Sequence, residues 1–339
     1  MMKLAKKYKG KNILITGGMG FIGSNLAEVL VGMGANLLLV DSMIPQYGGN
    51  LFNIKPFTRK VRINISDVRD ETSMRYLVKD QDYLFNLAGT LSHIDSMLDP
   101  YTDLDINCRA QLSILEACRK NNSSIKIVFS GTRGEYGKAQ CLPVSEDHPL
   151  NPTDVNGINN IAGELYHRLY NNIYNLKSLC LRLTNVYGPR HQMRHSKQGF
   201  LNWFIRQAID NETIRIYGDG SQLRDFNYVD DVINAILLAA DNDDAYGRVY
   251  NLGSENPVSV SEIANKIIEF TGSGRLEKIP YPEGLKSVEV GDYYADISRI
   301  KTEIGWRPET RLEDGLLKTI RYYRKNKRHY WNENDRENT

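Results

Sequence analysis

Short apolar runs alternate along the first half of the chain with longer segments whose apolar residues recur at helical spacing. The short runs predict buried strands at 12–16, 37–40, 60–65, 83–87, 124–129 and 178–186. The longer segments predict helices at 21–31, 70–79, 100–120 and 156–174. Strands that alternate with helices in this way form a parallel sheet covered on both faces. The pattern therefore predicts a doubly wound α/β fold, which binds ligands at the carboxyl ends of its strands.

The second half of the chain is less regular. Its pattern predicts short strands at 214–217 and 249–252, and helices at 198–210, 231–240, 259–271, 300–305 and 312–325. We expect strand 249–252 and the helix before it to complete the first sheet. From residue 326 the chain is polar, and a frayed tail is expected there.

Composition and charge exclude some classes of function. The 339 residues carry a net charge of +2, so nothing indicates a nucleic-acid partner, and no apolar run is long enough to span a membrane. The lysine-rich start is interpreted as a solvated arm.

The four cysteines lack the spacing of a metal or redox site. They are expected to be reduced, mostly buried thiols of a cytoplasmic protein.

A glycine-rich turn between the first strand and the first helix carries the clearest chemistry. Gly17 allows a tight turn, Gly20 lets the backbone approach a pyrophosphate, and Gly23 lets the helix pack close to the sheet. The helix N-terminus offers free N–H groups to the phosphates. Asp41 closes the next strand, 24 residues after Gly17, where a carboxylate bonds ribose hydroxyls and repels a 2′-phosphate. This context favours a site for NAD over a glycine turn that binds nothing.

Several stretches resemble the extended short-chain dehydrogenase/reductases, in particular the NAD-dependent epimerases and dehydratases that act on nucleotide sugars. They are TGGMGFIGS from residue 16, NLAG from 86, FSGTRGEYG from 129, LRLTNVYGPR from 181 and GDGSQLRDFNYVDDV from 218. The resemblance runs from about residue 11 to residue 322. It implies a Rossmann NAD-binding domain at 1–185, completed by 229–254. A smaller C-terminal α/β substrate-binding domain would comprise 186–228 and 255–325, followed by a polar tail at 326–339.

The resemblance also implies roles for individual residues. Thr132 falls where the family has its catalytic Ser or Thr. Asn185 and Tyr187 would meet the nucleotide sugar, and Arg224 its diphosphate, because a guanidinium offers forked donors and permanent charge. The alternative for Arg224 is a surface ion pair with Asp225. The expected cofactor-binding residues are Gly17, Gly20, Phe21, Ile22, Gly23, Asp41, Asp67, Val68 and Ala88.

One departure from the family concerns its catalytic Tyr-x-x-x-Lys pair. Alignment of the IAGE segment puts Asn156 in the place of Tyr and Asn160 in the place of Lys. The two amides share one face of a helix, but an amide cannot exchange a proton at neutral pH. Loss of a positioned acid–base group costs roughly 10²–10⁴ in rate.

A second departure concerns the type of reaction. The family's 4,6-dehydratases have Asp and Glu directly after the catalytic Thr, whereas this chain has Arg133 and Gly134. The sugar-acid decarboxylases keep a Glu at the place of Gly134. These positions favour an epimerase over a dehydratase. A sensor or scaffold that binds NAD and nucleotide sugar without redox chemistry, and a deliberately inactivated variant, remain alternatives.

An active epimerase needs a replacement acid–base group. The candidates near the expected site are His93, Asp95, Glu135, Asp154 and Tyr187. His93 is preferred because an imidazole changes its protonation state near neutral pH, although a lone histidine after a strand is more commonly structural. By resemblance, helices 100–120 and 156–174 would form a homodimer interface. The segment 197–204 and the loop before Asp292 are expected to shape the pocket for the base.

Overall fold

The computed structural model describes residues 2–281 and 290–332. Short β-strands account for the apolar runs of both halves. Within the described residues the strands are β1 Asn12–Thr16, β2 Asn36–Asp41, β3 Arg62–Ile65, β4 Tyr83–Asn86, β5 Lys126–Thr132, β6 Ser178–Leu183, β7 Asn185–Tyr187, β8 Thr213–Tyr217, β9 Leu223–Arg224, β10 Phe226–Tyr228, β11 Val249–Leu252, β12 Val258–Ser259 and β13 Arg275–Ile279.

The α-helices connect these strands and cover them. They are α1 Met2–Tyr8, α2 Phe21–Gly32, α3 Leu51–Ile54, α4 Glu71–Leu77, α5 His93–Leu98, α6 Pro100–Leu104, α7 Ala110–Asn121, α8 Val155–Tyr174, α9 Phe200–Ile209, α10 Val229–Asp241, α11 Val260–Thr271, α12 Ser298–Glu303 and α13 Leu312–Asn326. None of the helices in the described ranges is long and apolar enough to cross a membrane.

A seven-stranded parallel sheet forms the centre of the molecule. Its strand order is β11-β6-β5-β4-β1-β2-β3, so the chain reverses its direction across the sheet between β1 and β4. In open α/β sheets this switch point is where ligands bind. The order confirms the doubly wound parallel sheet predicted from the sequence, including the placement of 249–252 as its last strand.

Alternate residues of the central strands pack into separate cores on the two faces of the sheet. Ile13 and Ile15 lie in one core and Leu14 lies in the other. Leu39 and Leu38 divide in the same way. Successive side chains of a strand point to opposite faces of the sheet, and here both faces are buried. These strands therefore appear in the sequence as unbroken apolar runs.

The second half adds three small two-stranded sheets. β7 pairs with β10, β9 with β12, and β8 with β13. The predicted strand 178–186 is therefore wrong in its last residues, because the chain leaves the main sheet after Leu183. Asn185 opposite Phe226 and Tyr187 opposite Tyr228 are the new pairings, and they carry the chain toward the second half.

The N-terminal segment is a packed helix, so its interpretation as a solvated arm is wrong. Leu4 and Tyr8 stand one turn apart on α1 and are buried against the rest of the fold. The Tyr8 hydroxyl donates to the carbonyl of Leu237 at 2.8 Å. Lys6 and Lys7 of the same helix are exposed.

The frayed tail predicted from residue 326 is also wrong where the structure describes it. Tyr330 and Trp331 are buried. Trp331 donates from its indole to Asp210 at 2.8 Å, and the Tyr330 hydroxyl donates to Asn53 at 2.6 Å. Residues 333–339 of the predicted tail, and most of the loop before Asp292, lie outside the described residues.

All four cysteines are unpaired; Cys118 and Cys180 are buried, and Cys141 is exposed.

Candidate active site

One large cleft, of about 1120 Å³, lies at the carboxyl ends of the central strands and continues into the second half. On the sheet side it is lined by the whole set of cofactor-binding residues expected from the sequence: Gly17, Gly20, Phe21, Ile22, Gly23, Asp41, Asp67, Val68 and Ala88. Thr132, His93, Asn160, Asn185 and Arg224 line it as well.

The glycine turn forms a cradle that only glycine can build. Gly17 has a φ of 65°, a conformation that side chains disfavour. A Cβ on Gly23 would lie 2.2 Å from the carbonyl oxygen of Gly17, so helix α2 approaches the turn closely. Gly20 is the N-cap of α2 and gives no side-chain cap. The first N–H groups of the helix are thus available to a pyrophosphate.

Asp41 stands at the end of β2, on the wall of the cleft beside this cradle. Its carboxylate accepts hydrogen bonds from the backbone N–H of Met19 at 3.0 Å and of Met43 at 2.9 Å. Burial raises the pKa of Asp41, and these backbone hydrogen bonds oppose the rise. Together with the glycine turn, the fixed carboxylate gives a cradle whose shape and charge fit NAD.

Thr132 ends β5 at the floor of the cleft and begins a tight helical turn, Arg133–Tyr136. Its hydroxyl accepts from the N–H of Gly134 at 3.1 Å, and its own N–H donates to Glu135 at 3.0 Å. This reciprocal capping box fixes the orientation of the threonine. The hydroxyl retains its proton for donation to a ligand in the cleft.

Glu135 lies beneath Thr132 in a buried cluster rather than in the cleft. Arg182 donates to Glu135 at 3.0 Å and makes paired hydrogen bonds to Glu164 at 2.8 and 2.7 Å. Burial and the neighbouring Glu164 both raise the pKa of Glu135. Glu135 therefore anchors the floor and is not exposed to substrate.

Asn156 lies in a network of neutral amides around the carboxylate of Asp103. Asp103 accepts from Asn156 at 2.9 Å, Asn159 at 2.8 Å, Asn107 at 3.1 Å and the Thr90 hydroxyl at 2.7 Å. Asn156 also donates to the carbonyl of Thr90 at 2.8 Å. All five side chains are buried. The amide of Asn156 thus serves this network, and Asn156 is not among the residues that line the cleft.

Asn160 follows one turn later and does reach the cleft. It donates to the carbonyl of Asn156 at 2.8 Å. The two positions that would carry Tyr and Lys are thus joined to each other. Neither can accept a proton from a sugar hydroxyl and hold it as a cation.

His93 meets Asp154 at the wall of the cleft. His93 Nδ1 lies 2.6 Å from Asp154 Oδ2, with the His93 side chain 48% exposed and that of Asp154 5% exposed. Asp154 is also the N-cap of α8, where it accepts from the N–H of Gly157 at 2.8 Å. Burial opposes ionisation of Asp154, but the hydrogen bonds from His93 and Gly157 and the electrostatic effects of His93 and Arg133 outweigh it, so the pKa of Asp154 is lowered.

Tyr187 was expected at the substrate and is not there. It is 1% exposed, lies outside the lining of the cleft, and its hydroxyl donates to the carbonyl of Leu312 at 3.3 Å. Its ring packs on Gly315, where any Cβ would lie 2.1 Å from the hydroxyl. The pairing of β7 with β10 carries Tyr187 under α13, which removes it both as a substrate contact and as an acid–base candidate.

Asn185 and Arg224 lie on the second-half side of the cleft. Asn185 donates to the carbonyl of Asp225 at 3.0 Å. Arg224 is 5% exposed and donates to the carbonyl of Leu223 at 2.8 Å. The alternative ion pair is not formed between these two described residues, since Asp225 is fully buried and accepts from the N–H of Ser254 and Ala295.

Two ionic features of this region were not predicted from the sequence. Asp95, an acid–base candidate, is paired with Lys197 of the second half at 2.7 Å. The contact of His93 with Asp154 joins residues 61 positions apart. The sequence offers one sign of this contact. Asp154 comes shortly before a predicted helix, and aspartate is a preferred N-cap. No cluster of His, Cys, Asp and Glu in the described chain has the geometry of a metal site.

Known proteins share both the sequence and the fold. The model of the NAD dependent epimerase/dehydratase family matches residues 13–253. A Methanocaldococcus jannaschii protein provisionally named UDP-glucose 4-epimerase is 33% identical over 93% of this chain and 99% of its own. The UDP-glucose 4-epimerase of Mycolicibacterium smegmatis is 30% identical over 92% of this chain and 98% of its own.

A solved structure agrees with these relatives. The UDP-glucose 4-epimerase of Thermotoga maritima with UDP-glucose superposes with a TM-score of 0.85 and 31% identity, covering 93% of this chain and 99% of that one. The matched region contains the glycine cradle, Asp41, Thr132 and Arg224. The family and the cofactor predicted from the sequence are thereby confirmed: the chain belongs to the NAD dependent epimerase/dehydratase family.

Proposed function

We propose that the protein is an epimerase of a nucleotide-diphosphate sugar that uses tightly held NAD. The observation that carries this proposal is the continuity of the cleft, which runs from the NAD cradle past Thr132 to Arg224 without interruption. Full-length relatives named as UDP-glucose 4-epimerases support it.

Each wall of the cleft has a part in the proposed reaction. NAD, held by the glycine cradle and Asp41, would supply the hydride acceptor and donor for oxidation and reduction at one sugar carbon. The Thr132 hydroxyl orients the reacting sugar hydroxyl, and His93 exchanges its proton. Arg224 and Asn185 bind the diphosphate, which holds the sugar against the cradle.

The residues after Thr132 argue against elimination of water. A dehydratase needs a second acid–base pair at the site, and Arg133 and Gly134 supply no carboxylate there. Epimerisation needs one group that takes a proton and gives it back. A single imidazole in the cleft meets that need.

The cleft has lining residues from both halves of the chain, which supports a division into two binding domains. We propose that 1–185 with 229–254 binds NAD and that 186–228 with 255–325 binds the nucleotide sugar. The unpaired thiols are those of a protein from a reducing compartment, so we infer a cytoplasmic location.

Exposed apolar residues on α8 support a homodimer. Ile158, Leu165, Leu169 and Ile173 are each about half or more exposed and recur at helical spacing along one side of the helix. Tyr101 and Leu104 extend apolar exposure to the neighbouring α6. We infer that a second copy of the chain covers this surface with the same helices, because a two-fold interface joins identical patches.

The proposal is tested by supplying UDP-, dTDP-, GDP- and CDP-sugars in deuterated water. Epimerisation is expected for at least one sugar, with transient absorbance of reduced cofactor. Thr132→Val should lower the rate about 10²-fold or more, and Thr132→Ser should retain most of it. Tight binding of NAD and of a nucleotide sugar without turnover would support a sensor or scaffold instead, and release of water would show a dehydratase.

A further inference from the structure

We propose that Asp154 is the positioning residue for His93, and that the two form a dyad which replaces the acid–base function of the absent Tyr-x-x-x-Lys pair. This inference rests on the proposed epimerase function. It assigns Asp154 a role beyond capping α8, and it makes the hydrogen bond of 2.6 Å between the two side chains a part of the reaction.

The geometry fixes which nitrogen of His93 is available. An ionised carboxylate only accepts hydrogen bonds, so Nδ1 carries the proton that Asp154 receives. That leaves Nε2 with its lone pair. Among the described residues Nε2 has no hydrogen-bond partner, and the ring lines the cleft with nearly half its side-chain surface exposed. An imidazole held in this tautomer is a general base.

Asp154 is itself held rigidly, as an orienting group must be. One carboxylate oxygen accepts from the N–H of Gly157, and the other faces His93. The carboxylate is almost fully buried and lies at the N-terminus of the 20-residue helix α8, where negative charge is stabilised. These contacts explain why Asp154 remains ionised despite its burial.

Gly134 provides the space that the dyad needs. A Cβ on Gly134 would lie 3.3 Å from His93 Cε1 and 3.5 Å from the Thr132 hydroxyl oxygen. The imidazole and the hydroxyl therefore flank the same open position. A carboxylate side chain at residue 134 would fill that position and displace one of them. The absence of such a side chain and the presence of His93 are thus two parts of one arrangement.

The proton balance of the step is closed. Oxidation of the sugar carbon would break the O–H bond of its hydroxyl and form a C=O bond. NAD held in the glycine cradle would accept the hydride, and Nε2 takes the proton. When the hydride returns, the imidazolium gives the proton back to the oxygen. Asp154 stabilises the imidazolium and keeps its own charge throughout, as the carboxylate does in a catalytic triad.

The Asp154→Asn variant tests the role of the carboxylate without removing the cap. Asn is as good an N-cap as Asp, so α8 should stay intact. The Asn oxygen will accept from Gly157, and its amide will donate to Nδ1, which moves the His93 proton to Nε2. We expect kcat to fall about 10²-fold or more, with KM within threefold and an unchanged melting temperature.

Two further variants separate the dyad from a merely structural contact. His93→Ala should lose as much activity as Asp154→Asn, and added imidazole should restore part of it. Asp154→Ser is the matched control, since Ser caps the helix but is too short to hold the ring. If Asp154 must orient His93, the kcat of Asp154→Ser should fall as it does in Asp154→Asn. If Asp154 only caps α8, the kcat of Asp154→Ser should match that of wild type.

Nitrogen NMR of the His93 ring, read in the resting protein with no sugar present, tests the geometry independently of turnover. Wild type should show the proton on Nδ1 and Asp154→Asn should show it on Nε2. If the tautomers are as expected but no sugar of the panel turns over, the proposed function fails while the dyad geometry stands. If wild type turns over and Asp154→Asn retains its kcat, or the tautomer does not change, the inference is overturned.

Discussion

The side-chain amide of Asn156 donates to the buried carboxylate of Asp103 at 2.9 Å. The residue predicted to stand in the place of the family tyrosine therefore has a structural partner of its own. The Asp103 carboxyl group accepts hydrogen bonds from four neutral donors, and no cation lies in that network among the described residues. This relationship makes Asn156 a support of the cleft wall.

Replacement of Asn156 by Asp should destabilise the protein strongly. The change keeps the size of the side chain but places a second carboxylate against Asp103 in a buried site, where an unpaired charge costs about 3 kcal/mol or more. Urea unfolding at pH 7 measures the loss in the free energy of unfolding. The matched control is Asn172→Asp on the exposed side of the same helix, which should shift stability by less than about 0.5 kcal/mol. Equal effects would show that the network is not formed.

Asp41 should determine the choice between NAD and NADP. Asp41→Asn removes the charge that repels a 2′-phosphate but keeps an acceptor for the N–H of Met19. We expect the preference for NAD over NADP to fall by about tenfold or more. Titration of cofactor-free protein with both dinucleotides measures the ratio. An unchanged ratio would place the selecting group elsewhere.

Arg182 should be essential for stability because it neutralises two buried carboxyl groups. Arg182→Met leaves Glu135 and Glu164 facing each other without a buried cation, which should cost about 3–5 kcal/mol. Arg168→Met is the control: Arg168 approaches the same Glu164 at 3.8 Å but is 45% exposed, so its loss should cost less than about 1 kcal/mol. Similar midpoints of urea denaturation for the two variants would contradict this reading of the cluster.

His167 should make the fold sensitive to mild acid. Burial lowers the pKa of His167 to about 3, so it stays neutral when folded and binds a proton near pH 6.5 when unfolded. The part of the free energy of unfolding that depends on neutral His167 is fully present above the unfolded pKa. It is lost as the pH falls toward the folded pKa, and the loss is about 2 kcal/mol at pH 5. His167→Phe should retain the stacking on Phe129 and lose less stability between pH 7.5 and pH 5 than wild type. Parallel pH profiles of unfolding would refute this.

The apolar side of α8 should control assembly. Leu169→Glu puts a charge on a half-exposed position, so it should yield a folded monomer with an unchanged circular dichroism spectrum. Light scattering coupled to gel filtration measures the mass, and Asn265→Glu on exposed α11 is the control. The proposed interface is wrong if wild type is already monomeric, or if both variants keep the same larger mass.

The sequence predicts the fold and the cofactor cradle because their signals are local. Gly17, Gly20 and Gly23 lie within seven consecutive residues, and Asp41 ends the next strand. Apolar periodicity locates most strands and long helices to within a few residues, although on α8 it marks a side of the helix that this chain leaves exposed. The pairing of β1 with β4 could not be read this way, but the alternation of strands and helices already implied a parallel order.

The remaining parts of the site depend on contacts between distant segments. His93 and Asp154 are 61 positions apart and meet only because β4 and β5 are neighbours in the sheet. Tyr187 was misplaced because its strand leaves the main sheet for β10. The partners of Asn156 were missed for the same reason, since Asp103 belongs to a different helix.

Thr132, His93, Asp154 and the glycine cradle all precede residue 186, whereas Arg224 and the far wall of the cleft follow it. Under the proposed function, the reacting groups therefore lie before residue 186, and the groups that hold the nucleotide sugar, apart from Asn185, lie after it. Substitutions after residue 186 can alter which sugar is accepted while the proton and hydride chemistry is inherited unchanged. For engineering, the second half is the place to redirect specificity, and the first half is the part to leave intact.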